Sequence, residues 1–330
     1  MTFQTLRCEL ADGIATLTFD EPNSPVNTMC AAWQDDIVAA VEQIAAQKGE
    51  LRGVILASAK KTFFAGADLK SVMRLTEADA PAVFAEIERL KRAFRTLETL
   101  GIPVVACLNG SALGGGWEVA LAAHHRVAVD DPKTQFGLPE LTLGLIPGAT
   151  GITKMTRLLG LMGAQPYIME SRLFNPRQGH ELGLVHELVA SDGELRARAL
   201  AWIAANPQAK QPWDDKAYKI PGGTPASPKI AGGLVVAPAM LTAKTHGNYP
   251  APEAALSAMV EGAQVDYDTA TRIESRYLAS LMAGPVARNM INTFFFNLNA
   301  IKSGQSRPKD VPRFKPAKVG ILGAGMMGAG

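Results

Sequence analysis

NGSALGGGWEVALAA, residues 109–123, decides how this chain folds and where its chemistry lies. A strand-like apolar run, residues 103–110, leads into three consecutive glycines, and a predicted helix follows them. Glycines let a ligand approach the backbone closely, and a helix N-terminus adds partial positive charge. The stretch therefore predicts a strand, loop and helix unit with backbone N–H groups free to bind a ligand.

Strands and helices alternate on both sides of this stretch. GIATLTF at 13–19 and GVILAS at 53–58 have the pattern of strands, and apolar residues recur at helical spacing over residues 83–100. Thr28 is expected to cap a further helix between the first two strands. Strands separated by helices require crossover connections, so we predict an α/β fold with a mainly parallel sheet.

Composition limits the classes of function. The 330 residues suffice for one large domain or two ordinary ones, and 47% of them are apolar, which is enough to form a core. The formal charge is only +2, and the basic residues are scattered, so nothing in the chain calls for nucleic acid or an anionic membrane. The expected partner is a small molecule or another protein.

Cysteine content and apolar runs indicate the compartment. Cys8, Cys30 and Cys107 are too few and too far apart for a disulfide framework or a metal cluster, so we expect buried reduced thiols and no metal site. The N-terminus lacks the apolar core of a signal peptide, and no apolar run approaches the ~20 residues of a membrane span. We expect a cytoplasmic protein.

Two more blocks carry residues suited to catalysis. In KTFFAGADLK, residues 61–70, Gly66 permits a sharp turn and leaves N–H groups near Ala67 free. With the glycines of the first block, they could form an oxyanion hole for a thioester enolate. QFGLPELTLGLIPGATG, residues 135–151, places Glu140 in an apolar run, where it is either capped locally or set for proton transfer with a raised pKa. Taken singly, the glycines could be simple turns, and Glu118 a solvated helix residue.

The three blocks together, in their order and spacing, resemble the crotonase (enoyl-CoA hydratase/isomerase) superfamily over about residues 1–190. The resemblance implies a ββα spiral core and addition of water to a trans-2-enoyl-CoA. Glu118 would activate the water, and Glu140 would protonate the α-carbon. The N–H groups of Ala67 and Gly115 would hold the thioester oxygen.

The same resemblance implies further substrate contacts. The carbonyl of Ala65 would lie near the CoA adenine with Asp68 and Leu69 beside it, and Gly148 would help to place the water. The family usually continues after this point with two glycines, whereas this chain has Thr150. A β-branched residue tolerates unusual backbone angles badly, so we expect a differently shaped turn there.

The C-terminal part of the chain has the segment order of longer, multidomain proteins. Residues 206–252 are rich in proline and glycine, residues 253–301 return to helical spacing, and KVGILGAGMMGAG, residues 318–330, places Gly323, Gly325 and Gly328 in the G-x-G-x-x-G spacing of a dinucleotide site. With the hydratase blocks, this order resembles the α subunits of bacterial multifunctional fatty-acid β-oxidation enzymes. We expect a hydratase domain over 1–190, a helical region over 191–310 that packs on it, and the truncated start of a Rossmann domain over 311–330.

The glycine motif lacks its helix and its ribose-binding acid here, so we expect no cofactor in this chain and NAD only in the full-length protein. Three functions stay open: a hydratase that could also act as an enoyl-CoA isomerase, a noncatalytic acyl-CoA-binding module that docks onto a thiolase, and a nicotinamide oxidoreductase. The expected partners are enoyl-CoA substrates and either a thiolase β subunit or further copies of the chain. We expect structural or surface roles for four histidines: His124, His125, His180 and His186.

Overall fold

A mixed six-stranded sheet forms the core of the computed structural model, which describes residues 2–312 and 314–329. The strand order is β1-β2-β3-β4-β6-β8, in which β1 is antiparallel to β2 and every other pair is parallel; β5 and β7 form a separate parallel pair. The strands are β1 (Leu6–Ala11), β2 (Ile14–Phe19), β3 (Gly53–Ser58), β4 (Val104–Leu108), β5 (Ala112–Leu113), β6 (His125–Val129), β7 (Phe136–Gly137) and β8 (Glu187–Val189). The predicted α/β class and mainly parallel sheet are confirmed.

Helices connect the strands and make up most of the chain after β8. They are α1 (Ala31–Ala46), α2 (Leu69–Val72), α3 (Ala80–Glu98), α4 (Gly115–Leu121), α5 (Gly151–Met169), α6 (Pro176–Glu181), α7 (Asp192–Ala205), α8 (Pro228–Thr245), α9 (Pro250–Gly262), α10 (Tyr267–Ala283), α11 (Pro285–Met290), α12 (Leu298–Lys302) and α13 (Met326–Ala329), with a π-helical segment at Ile291–Asn297. The helices expected at 83–100 and 253–301 are present.

One local prediction is wrong. Thr28 does not cap α1, because Cys30 occupies the N-cap position. The N–H and hydroxyl of Thr28 instead donate to Glu21 Oε2, both at 2.8 Å. Thr28 therefore holds the preceding turn and leaves the start of α1 uncapped by a side chain.

Alternating side chains of the sheet enter two different apolar clusters. In β3, Val54 and Leu56 face the larger cluster, and Ile55 faces the smaller one. The smaller cluster is completed by Leu195 and Ile203 of α7. Because α7 packs directly on the sheet, burial of the second sheet face depends on residues that follow β8.

The later helices form a layer that contacts the first half of the chain. α10 packs against α3, α9 and α11, and α9 packs against α5. α11 and the π-helical segment contact the short 3₁₀ turn Glu140–Leu143. This layer therefore reaches the residues that the sequence marks as catalytic.

The segment after α12 stays outside the core. Val319 is 71% exposed and Ile321 is 70% exposed, and neither lies in a strand. Gly330 lies outside the described residues. Within the described part of the chain, no helix combines the length and apolar character needed to cross a membrane.

Deletion of residues 312–330 should leave the melting temperature within about 2 °C of that of the full chain, because the large apolar side chains described in this segment are exposed. Differential scanning calorimetry of the two proteins measures the difference. A fall of more than about 5 °C would show that the segment packs on the rest of the molecule.

Candidate active site

Backbone hydrogen bonds join the three sequence blocks. β5 pairs with β7, and Phe64 forms a bridge to Ala112 in β5. Gly114 N–H donates to Gly137 O at 2.8 Å. The segments at 61–70, 109–123 and 135–151, predicted separately from the sequence, therefore lie side by side in the structure.

Two glycines permit this close approach. Gly66 has φ +103°, a value that a residue with a side chain rarely adopts. At Gly116, a first side-chain carbon would collide with the carbonyl oxygen of Phe64. Glycine is thus required at both positions by conformation or by space.

Glu118 is held by the turn that precedes α5. It lies in the first turn of α4, and its side chain is almost fully buried. Its Oε1 accepts hydrogen bonds from Ala149 N–H at 2.7 Å and Gly151 N–H at 2.6 Å. These two bonds fix the position of Oε1 and leave Oε2 as the oxygen that can accept a proton.

Glu140 lies against the glycine loop that precedes α4, near enough to Glu118 for the two charges to interact. It opens the 3₁₀ turn Glu140–Leu143, and its Oε1 lies so near Gly114 that a first side-chain carbon there would be 2.6 Å away. Its Oε2 is buried and, among the described residues, has no hydrogen-bond partner. A buried carboxyl oxygen without a partner can donate its proton to a bound substrate.

The environments of the two glutamates raise the pKa of both. Burial is the largest cause for Glu118, the charge of Glu274 adds to it, and the backbone N–H bonds oppose it, which leaves a pKa of about 7. Burial, followed by the charge of Glu118, raises the pKa of Glu140 well above its ordinary value. Glu140 therefore holds its proton more strongly than an ordinary glutamate does, which suits a proton donor, whereas Glu118 can ionise near neutral pH and accept a proton.

The N–H groups of Ala67 and Gly115 are both available. Within residues 2–312 and 314–329, neither donates a hydrogen bond to a protein acceptor. A first side-chain carbon at Gly66 would lie 3.6 Å from Gly115 N, which places the two N–H groups on neighbouring segments. This arrangement suits an oxyanion hole, and the role of the two groups stays a prediction.

The positions expected to contact CoA lie on the loop that leads into α2. Ala65 is exposed, and its N–H donates to Asn27 O at 2.9 Å. Asp68 caps α2, because its Oδ1 accepts from Lys70 N–H at 3.0 Å. Leu69 is partly buried against the core. The contacts of these residues with CoA remain predictions.

The turn around Gly148 is covered by α10. A side chain at Gly148 would collide with Leu278, so glycine is needed for this helix to pack. Thr150 has φ +94°, a left-handed backbone angle that is costly for a β-branched residue. Thr150 thus adopts the unusual angle that it was expected to avoid, and the differently shaped turn stays a prediction.

The sequence analysis missed one carboxylate in this region. Glu274 of α10 is fully buried, and its oxygens accept from Thr150 N–H at 2.7 Å and Thr153 N–H at 2.8 Å. The signal was present, because Glu274 falls in a helical row with Ala270 and Leu278. A glutamate in such a row is a candidate buried charge.

The histidines have structural roles, as expected. His124 Nδ1 accepts from Val104 N–H at 3.0 Å, and burial lowers the pKa of His124 to about 4. His125 stacks between His186 and Trp202, with ring centroids 4.8 and 4.4 Å away. His180 Nδ1 lies 3.1 Å from a backbone carbonyl oxygen.

Comparison with known proteins agrees with this geometry. The profile of the family described as Enoyl-CoA hydratase/isomerase matches residues 9–212, which include both glutamates and all three blocks. The chain belongs to this family. The predicted crotonase resemblance is thereby confirmed.

Curated relatives place this chain within longer proteins. It is 34% identical over 97% of its length to the "Fatty acid oxidation complex subunit alpha" of Shewanella loihica, and 32% identical over 97% to that of Shewanella amazonensis. The chain spans 45% and 44% of those two proteins, less than half of either. The match to relatives of this name runs through the helical region as well as the family domain.

Solved structures confirm the fold. An enoyl-CoA hydratase from Bacillus halodurans has a TM-score of 0.60 at 18% identity and covers 88% of this chain and 99% of its own. An enoyl-CoA hydratase from Bacillus anthracis has a TM-score of 0.55 at 24% identity, with 93% and 98% covered. The crotonase-like architecture predicted from sequence is therefore correct.

The raised pKa of Glu118 makes stability depend on pH. Between its unfolded value and about 7, the folded state keeps a proton that the unfolded state has lost, so this contribution is full at low pH and is lost as pH rises. Glu118→Gln removes the charge and should raise the melting temperature by a few degrees at about pH 8, with little change at about pH 5. Calorimetry at both pH values measures this.

Glu181→Gln, at an exposed position on α6, is the matched control and should change the melting temperature little at either pH. A loss of stability in Glu118→Gln at about pH 8 would contradict the pKa assignment, because it would show that the ionised carboxylate stabilises the fold.

Proposed function

We propose that this chain hydrates trans-2-enoyl-CoA thioesters to 3-hydroxyacyl-CoA in fatty-acid β-oxidation. The observation that carries the proposal is a pair of glutamates whose charges affect each other. Glu118 is oriented by two backbone N–H groups, and Glu140 has an Oε2 without a hydrogen-bond partner among the described residues. Family membership and the names of the longer relatives support the same reaction.

The proposed reaction assigns one proton to each glutamate. Glu118 accepts a proton from water as the water oxygen bonds to the β-carbon, and the electron pair of the double bond moves to the α-carbon and thioester oxygen. The N–H groups of Ala67 and Gly115 stabilise the resulting enolate. Glu140 then gives its proton to the α-carbon, and exchange with solvent restores both carboxyl groups.

Isomerisation of a 3-enoyl-CoA to the 2-enoyl form would use the same groups. It also passes through a thioester enolate and needs a proton acceptor and a proton donor. The family includes isomerases by its description. We therefore propose enoyl-CoA isomerase activity as a second reaction of this site.

The longer protein would add further functions. The name of the Shewanella relatives refers to a complex, and we propose a thiolase β subunit as the partner of the full-length protein. The glycine motif would supply part of an NAD site for a 3-hydroxyacyl-CoA dehydrogenase. In this chain, a side chain at Gly323 or Gly325 would meet nothing within 4 Å, so the residues present form no cradle for a dinucleotide.

Replacement of either catalytic candidate tests the hydratase. Glu118→Gln and Glu140→Gln should each lower kcat by about 100- to 10,000-fold with little change in CoA affinity, because each removes a proton-transfer group and keeps the side-chain shape. The loss of absorbance on hydration of crotonyl-CoA and of a longer enoyl-CoA measures the rate. Glu181→Gln is the control.

A glutamate whose glutamine variant keeps more than roughly a tenth of the activity has no catalytic role. If the wild-type chain binds these thioesters tightly and hydrates neither, the alternative function, a noncatalytic acyl-CoA-binding module that docks onto a thiolase, is favoured.

The dehydrogenase assignment has a separate test. With 3-hydroxyacyl-CoA and NAD, this chain should produce no NADH. Its glycine segment is exposed and, among the described residues, forms no strand of a sheet. Absorbance of NADH over time measures the reaction. Turnover by this chain alone would contradict the division of activities proposed above.

A further inference from the structure

The turn at residues 149–153, which includes the first residues of α5, donates backbone N–H groups to two carboxylates. Ala149 and Gly151 donate to Glu118 Oε1 at 2.7 and 2.6 Å. Thr150 donates to Oε1 of Glu274 at 2.7 Å, and Thr153 donates to its Oε2 at 2.8 Å. One short segment therefore links a proposed catalytic residue to a residue of α10.

The turn contains a strained residue. Thr150 has φ +94° and ψ 6°, and a non-glycine residue in such a conformation costs on the order of 1–3 kcal/mol. Hydrogen bonds to a charged group contribute about 1.5–3 kcal/mol each. The bonds from Thr150 and Thr153 to Glu274 are therefore large enough to hold the strained conformation.

Glu274 is itself fixed in place. Its side chain is fully buried, and Lys91 Nζ of α3 lies 3.4 Å from its Oε1. Lys91 also donates to Thr271 O, one turn earlier in α10, at 2.6 Å. The hydroxyl of Thr153 donates to Oε2 at 2.8 Å. Both carboxylate oxygens of Glu274 thus have partners, and all of these partners are groups of α3 or of the turn.

We propose that Glu274 is a positioning residue for hydration: it holds the turn whose N–H groups orient the carboxylate of Glu118. This inference rests on the proposed function, because it assigns the role through Glu118. Glu274 contacts no reacting atom in the proposed reaction. Its contribution comes from the shape of the turn and from its charge.

The charge of Glu274 has a predictable sign. It raises the pKa of Glu118, so removal of the charge should lower that pKa. Lys91 acts in the opposite direction on Glu118. Other ionisable groups act on Glu118, Glu274 or both from the surrounding elements, namely Glu140 from the 3₁₀ turn, Lys154 and Arg157 from α5, and Tyr267 from α10.

Glu274→Gln is the principal test. An amide has one oxygen and one N–H₂ group, so it can accept from only one side of the turn and faces N–H donors on the other. We expect kcat for crotonyl-CoA to fall about 10- to 100-fold with KM changed less than about threefold, because Glu118 is misplaced while CoA contacts persist. The acid limb of the kcat/KM profile should move to lower pH, because the charge of Glu274 affects the pKa of Glu118 more than either backbone N–H bond does.

Ser275→Ala is the matched control. Ser275 is the next residue of α10, is equally buried, and donates to Glu88 Oε1 of α3 at 2.6 Å, away from the turn. It should lower the melting temperature without moving the acid limb. If Glu274→Gln behaves as Ser275→Ala does, with stability lost and the pH profile unchanged, Glu274 is merely structural and the inference is wrong.

Two more variants separate the effect of the shape of the turn from the effect of the charge of Glu274. Thr150→Gly relieves the positive φ, so in a double-mutant cycle it should restore part of the kcat lost in Glu274→Gln. Glu274→Asp keeps the charge but shortens the side chain, so kcat should fall while the acid limb stays at the same pH. This variant provides the test if Glu274→Gln does not fold.

Full activity in Glu274→Asp, or no coupling with Thr150→Gly, overturns the inference. A wild-type chain without hydratase activity instead overturns the proposed function.

Discussion

The active site depends on one backbone turn, residues 149–153, that lies between two buried carboxylates. An ionised carboxylate in an apolar interior is costly unless hydrogen-bond donors surround it. Glu118 and Glu274 both satisfy this requirement with N–H groups of the same turn. A change in the shape of the turn would therefore take N–H donors away from at least one carboxylate, and this free-energy cost holds the proposed base in its geometry.

This constraint makes α3 and α10 part of the site, although neither contains a proposed catalytic residue. Lys91 connects α3 to Glu274, and seven residues later Glu98 forms a fully buried ion pair with Lys154 of α5. Loss of one partner of a buried pair typically costs about 3–5 kcal/mol, so the relative positions of α3, α5 and α10 are strongly fixed. The helical layer thus stabilises the turn as well as covering it.

The sequence predicts what is local and leaves out what depends on distant packing. The strands at 13–19 and 53–58 and the glycine loop before Glu118 follow from periodicity and turn chemistry, and the structure has them at those places. The cap at Thr28 is wrong because a tertiary hydrogen bond to Glu21 competes with the local one. Glu274 is 156 residues from Glu118, and the fold alone brings the two to the same turn.

The different roles of Glu118 and Glu140 have the same physical origin as the free-energy cost of the site. Both follow from withdrawing the carboxyl groups from water. Both have raised pKa values because both are withdrawn from water, yet Glu118 receives two N–H bonds from the turn, whereas the backbone bond that lowers the pKa of Glu140 comes from its own residue. Removing the two bonds from the turn would raise the pKa of Glu118 further and make it a poorer proton acceptor near neutral pH. The difference between acid and base therefore lies in the turn and not in the identity of the side chains. A helix that holds the turn contributes to the chemistry even where it never meets the substrate.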